Sequence, residues 1–136
     1  MGRGREAIPV LRELEPRIPT RIRDFVVAAR TLLEGDAGAS AAAASRVATS
    51  DFSDPEGLFY LARHLSHLEH TAPALQLMER VVAGGFHCHP IFARDPWLDP
   101  LRKKPAFKKL LENASSEHEK ARTAFARLGG AKLLGV

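Results

Sequence analysis

The thirty-three residues from Ser53 to Gly85, SDPEGLFYLARHLSHLEHTAPALQLMERVVAGG, decide the fold. Ser53 and Glu56 have the S-x-x-E spacing of a capping box, in which each side chain satisfies a backbone N–H that the first helical turn leaves open. Pro55 suits that turn because its missing N–H would have no partner there. The spacing therefore predicts a helix from about Pro55, with Leu58, Leu61, Leu65 and Leu68 on one face and Ala62 beside them. Thr71 is placed to cap a second helix, whose apolar side is Ala74, Leu77, Met78, Val81 and Val82. Gly84-Gly85 ends it, glycine being the usual residue where a helix must leave through a left-handed backbone.

The preceding segment follows the same plan. Ile22, Phe25, Ala29 and Leu32 share a helical face, with Thr20 as the expected N-cap and Gly35 as the stop. Asp36 then caps the alanine-rich run Ala39 to Ala48, which has high helix propensity and little bulk. Sliding the chain by 33 residues lays Phe25 on Leu58, Ala28 on Leu61, Ala29 on Ala62, Arg30 on Arg63 and Leu32 on Leu65. Sliding it by 34 lays Ala44 on Met78, Val47 on Val81 and Phe52 on Phe86. Two helix pairs repeat at nearly constant length.

A helix-turn-helix unit of about 34 residues resembles the tetratricopeptide repeat (TPR) family. Leu58, Leu61, Ala62 and Leu65 match the large, large, small, large order of that family's first helix, and Ala74, Met78 and Val81 match its second. An aromatic is missing at Leu58, and Phe86 stands where a helix-breaking proline is usual. Further on, residues 95–102 (DPWLDPLR), then P-x-F-x-x-L-L from Pro105 and G-G-x-x-L-L-G from Gly129, resemble the C-terminal TPR regions of large bacterial regulatory proteins. That resemblance implies an all-α, antiparallel helix-pair superhelical array and a protein-interaction or scaffold function. It also implies a place at the C-terminal end of a regulatory protein, downstream of a serine/threonine kinase or a DNA-binding domain. The expected organisation is a single domain over residues 1–136: a partial or capping helix in 1–19, repeats in 20–53 and 54–88, and a degenerate repeat with a C-terminal helix in 89–136.

In such arrays the first helices line a concave groove, and the residues outside the core stripe face it. Here these are Arg23, Val26 and Arg30 from one unit and Glu56, Phe59 and Arg63 from the next. Arg30 and Arg63, in equivalent positions, form a short basic ladder suited to a protein or peptide partner with acidic groups. The sequence lacks the Lys/Asn/Arg clamp with which some TPR domains hold a C-terminal carboxylate.

Outside the pairs the pattern changes. Ala7, Val10, Leu11 and Leu14 suggest a helix without a partner of its own, which either docks as an N-terminal cap or marks the chain as the end of a longer protein. Two Asp-Pro steps at 95–96 and 99–100 forbid a long helix and imply short turns around Trp97. Bracketed in this way, Trp97 is expected to point inward, with Phe92, as a plug at the end of the array. Phe107, Leu111, Ala114, His118, Ala121, Phe125 and Leu128 then form an amphipathic stripe for a long closing helix.

Composition narrows the function classes. The chain is 45% apolar, 26% charged and only 7% aromatic, an ordinary globular balance poor in strand formers. Its net charge of +4 divides into +2 over residues 1–50, −4 over 51–100 and +6 over 101–136. No apolar run approaches the roughly 20 residues that span a bilayer, and no secretory signal opens the chain. The single Cys88 fits a reducing, cytoplasmic setting.

Chemistry has few candidates. His87-Cys88-His89, with His64, His67 and His70, is the one set that could contribute to a metal site or a nucleophile, so a small metal-binding protein or enzyme is the first alternative. Adjacent residues diverge, however, and no Walker A, G-x-G-x-x-G or H-E-x-x-H pattern occurs. The expectation is no catalytic residue, no metal and no cofactor. Arg102, Lys103, Lys104, Lys108 and Lys109 make the strongest charge cluster, but without base-stacking aromatics nucleic-acid binding is disfavoured. A structural capping segment that binds nothing is the second alternative.

Overall fold

The computed structural model describes residues 4–135, and of Arg21 only the backbone. Every regular element among the described residues is helical. α1 (Gly4–Leu14) runs into a short 3₁₀ turn (Glu15–Arg17), followed by α2 (Thr20–Glu34) and α3 (Ala37–Ala48). Then come α4 (Pro55–His67), α5 (Thr71–Ala83) and the short α6 (His89–Arg94). A second 3₁₀ segment (Pro96–Leu101), the long α7 (Pro105–Arg127) and α8 (Gly130–Leu134) complete the chain.

Two residues turn α3 back on α2. Gly35 adopts φ +86°, which L side chains avoid, and the Asp36 N–H returns 2.9 Å to the Thr31 carbonyl, closing a Schellman motif. The Asp36 carboxylate accepts from the Ala39 N–H at 2.9 Å and starts α3. Ser40, Ala41, Ala43, Ala44 and Val47 are buried on α3. Their small size lets the helices approach closely. Arg46 clasps Asp24 at 2.6 Å, so the end of α3 meets the start of α2 and the pair is antiparallel.

The second pair closes in the same sense, but its start differs from the capping-box expectation. Asp54 caps α4, its carboxylate accepting from the Gly57 N–H at 2.6 Å, while Ser53 lies outside the helix. Glu56 instead accepts from the Tyr60 hydroxyl at 3.0 Å. The helix begins at Pro55 as the spacing predicts, but the cap is Asp54, one residue after Ser53, because Asp54 immediately precedes Pro55 and aspartate is as good a cap as serine. Thr20 and Thr71 likewise sit inside α2 and α5, whose N-caps are Pro19 and His70 without side-chain caps. At the far end of α5, a Cβ on Gly84 would come within 2.7 Å of Pro55 Cγ. Glycine is needed there for the return of α5 against the start of α4.

The core runs through both pairs and into the C-terminal third. Leu58, Leu61, Ala62 and Leu65 of α4 and Ala74, Leu77, Met78, Val81 and Val82 of α5 are buried, as their spacing predicts. Phe92, Leu98 and Leu101 join them, and α7 contributes Phe107 and Ala114. Phe59 belongs to this core, not to a groove. It is 2% exposed, and its ring lies 5.6 Å from that of Phe86 and 5.3 Å from that of Phe92. At Phe59 the face of α4 that the stripe leaves over is thus covered by aromatics contributed from beyond α5.

α1 packs on α2 but buries none of its residues completely. Ion pairs hold it there, Arg12 to Glu34 at 2.7 Å and Glu15, just beyond α1, to Arg30 at 2.8 Å. α7 continues its apolar stripe past the point where the core ends. Leu111 is half-buried, whereas Phe125 is exposed and Leu128 is 73% exposed.

Candidate functional site

The expected groove residues are divided among different surroundings. Arg23 donates to the Ile18 carbonyl, with Nη2 at 3.2 Å. Arg30 is held between Glu15 and Glu34, at 2.8 and 2.6 Å, and these carboxylates raise its pKa, the Glu15 hydrogen bond most strongly. Both arginines line a shallow depression with Arg12, Glu15 and Pro16. Val26 is half-buried on α2, and Glu56 stands exposed beside Tyr60. Arg63 lines a different cavity, and its Nε reaches Asp95 at 2.6 Å. The two arginines of the expected ladder each have carboxylate partners within the chain, so neither is an open cation awaiting an acidic ligand.

The cavity that Arg63 borders is the most site-like concavity. It has a volume of about 300 Å³ and lies between α2 and α4. Phe25, Ala28, Ala29, Leu32 and Leu33 of α2 face Tyr60, Leu61 and His64 of α4, and Trp97 closes one end. Ala28 and Ala29 make room for it: two small residues in succession on the helix that Leu61 faces leave a space that larger side chains would fill.

Trp97 is not the inward plug that its flanking prolines suggested. Its ring is half-buried and lies nearly parallel to His67, with centroids 4.3 Å apart and planes 12° from parallel. The Arg63 guanidinium carbon sits 4.5 Å from the ring centroid, a cation–π contact. Asp95 fixes this geometry, accepting from Arg63 and from the Trp97 N–H at 2.9 Å. The plug role falls to the neighbours Phe92, Leu98 and Leu101, all of them buried.

His64 forms part of the cavity wall from inside the core. It is 8% exposed, and its Nε2 lies 2.7 Å from Ser40 Oγ on α3. Ser40 Oγ is also 2.8 Å from the Ala28 carbonyl. A carbonyl can only accept, so the single hydroxyl proton goes to Ala28 and Nε2–H donates to Ser40. Nε2 therefore carries a proton, and in the neutral ring Nδ1 is the acceptor. Burial lowers its pKa below the ordinary 6.5, and the nearby His67 and Arg63 push in the same direction.

Other residues singled out in the sequence are dispersed. His87 Nε2 is 3.0 Å from the Val82 carbonyl, and Cys88 is half-buried ahead of α6. His64 and His67 are engaged with Ser40 and Trp97. Among the described residues, no three His, Cys, Asp or Glu side chains converge as a metal site. Arg102 of the basic cluster is a clasp, bonded to the Asp99 carboxylate at 2.6 Å and the Asp95 carbonyl at 3.0 Å. Lys103, Lys104, Lys108 and Lys109 are exposed. No described helix is long and apolar enough to cross a membrane.

No family model, no curated protein and no solved structure matches the chain.

Sequence reasoning found Arg63 but missed Leu33, Tyr60 and His64 as cavity residues. One signal was present: Ser40 is the only polar residue within Ala39 to Ala44, and a polar group in such a tightly packed run needs a partner from another helix. Nothing in the sequence named His64 as that partner.

Proposed function

We propose that the chain is a TPR-like interaction module that recognises a partner protein through the face between α2 and α4. The carrying observation is the apolar cavity of about 300 Å³ on that face, walled by Leu32, Leu33 and Leu61 and bordered by Trp97, Tyr60 and the Arg63–Asp95 pair. An apolar recess with a few fixed polar groups at its edge is the usual form of a recognition pocket. Trp, Tyr and Arg are also the side chains that dominate binding energy at protein interfaces. The two similarly spaced helix pairs support the repeat reading, because such units present their first helices side by side. A recognition module with no chemistry of its own, carried in the cytoplasm by a larger bacterial regulatory protein, is the setting that the sequence resemblances favour.

A displayed peptide library panned against the protein tests this reading. Leu33 and Tyr60 are large, exposed and part of the cavity wall, so Leu33→Glu and Tyr60→Glu alter the surface without opening the core. Peptides selected on the wild type are expected to lose at least tenfold in affinity for either variant. Selected peptides that bind all three proteins equally would rule out this face.

A further inference from the structure

We propose that the cavity between α2 and α4 receives an aromatic side chain carrying its own hydrogen-bond donor, the phenol of a tyrosine or the indole of a tryptophan on the partner. His64 Nδ1 is the acceptor. The inference rests on the partner-recognition reading above and specifies the chemistry of the residue that enters.

Three observations lead there. The first is the His64 tautomer: Ser40 spends its proton on Ala28, so Nε2 must donate and Nδ1 is left as a lone pair. That ring is more than nine-tenths buried yet lines the cavity, and Nδ1 has no hydrogen-bond partner among the described residues. Nδ1 is not among the fully enclosed unpaired atoms, so it keeps contact with solvent, and His64 lines this cavity. An occupant that displaces that solvent and brings an O–H or N–H keeps the acceptor paired, whereas a purely apolar one does not.

The second is the state of the neighbouring polar groups. The Tyr60 hydroxyl donates to Glu56, and Arg63 is engaged by Asp95. Trp97 can only donate through its indole nitrogen. A carboxylate would place a second anion beside an Arg63 whose charge is already matched by Asp95 at 2.6 Å, the Asp95 side chain being 7% exposed. A neutral donor requires no such exchange.

The third is size and shape. About 300 Å³ is at the low end for small-molecule pockets and suits one large side chain. Phe25, Tyr60 and Trp97 offer ring faces and edges, and aromatic pairs gain from offset or edge-on contacts beyond the area they bury.

The test uses the whole protein and two side-chain analogues, p-cresol for tyrosine and toluene for phenylalanine, which differ by one hydroxyl. Trp97 is the only tryptophan in the chain and borders the cavity, so its fluorescence, excited at the red edge of tryptophan absorption, reports occupancy. p-Cresol is expected to bind roughly tenfold more tightly than toluene, the usual worth of one hydrogen bond. The ¹⁵N resonance of His64 Nδ1 in the wild type should move with p-cresol and stay in place with toluene. In His64→Phe the two analogues should bind alike. Equal affinities in the wild type, a preference for toluene, binding of neither, or an unmoved Nδ1 resonance each overturn the proposal. The outcomes separate from those of the broader reading: library peptides anchored by leucine or phenylalanine and lost in Leu33→Glu would uphold the groove and refute the donor-bearing anchor.

Discussion

His64 shows how one side chain can serve both the fold and the site. Its Nε2–H satisfies Ser40 inside the contact between the two helix pairs, and the same residue lines the cavity. The pH dependence follows from its lowered pKa. Because burial disfavours the charged ring in the folded chain, the unfolded chain takes up the proton first as pH falls. The contribution of His64 to stability is therefore complete above its ordinary value of 6.5 and declines as pH drops through that value toward the lower folded-state pKa. Chemical denaturation across this range should show that decline in the wild type and a smaller one in His64→Gln. Gly57 offers a second test at this scale. A Cβ there would lie 2.5 Å from Phe52 Cζ, and the Phe52 ring is itself set edge-on against Phe25 at 5.1 Å. Gly57→Ala gains about 1 kcal/mol in helix propensity but has to displace that ring, at a cost of about 1–3 kcal/mol. A net loss of stability is the expected sign, to be read from urea denaturation.

Among the elements, α4 and α7 show most clearly what spacing can and cannot determine. The start of α4 depends on Asp54, so Asp54→Ala should cost about 1 kcal/mol, whereas Ser53→Ala should fall within about 0.5 kcal/mol of the wild type. The same denaturation midpoints that order these variants would expose an active Ser53 cap if the ranking reversed. α7 keeps a regular apolar stripe along its whole length, yet only Phe107 and Ala114 are buried on it. A stripe records what a helix could cover, and the core ends where its neighbours end. Amide exchange should therefore be slow around 107–114 and much faster over 118–127, where few side chains are buried against other elements. The site was partly legible at this scale. Arg63 could be named because its position in the repeat is plain, but Phe59 could not be excluded, since the rings that cover it come from residues 86 and 92.

For the molecule as a whole, the C-terminal third is fastened to α4 and thereby completes the cavity. Phe92, Leu98 and Leu101 are buried against the pairs, while Asp95 and Trp97 reach the outer face of α4 through Arg63 and His67. This division predicts different outcomes for two aromatic deletions. Phe92→Ala should cost about 3–5 kcal/mol, as expected for emptying a close-packed site. Trp97→Ala should cost clearly less because its ring is only partly buried, and it should weaken ligand binding at the cavity; thermal melting and the peptide titration would check the two halves. The all-helical class, the antiparallel pairing and most of the core were determined by sequence alone, because capping, glycine stops and three-to-four-residue periodicity act over one or two turns. The surroundings of each remaining face were decided only by tertiary structure. Whether Phe59 is buried, where Trp97 lies, that Glu15 reaches Arg30 and Asp95 reaches Arg63, and that Ser40 meets His64 all depend on contacts between residues 15 to 33 positions apart. Local propensity carries no information about such pairs, and the cavity exists only once they have formed.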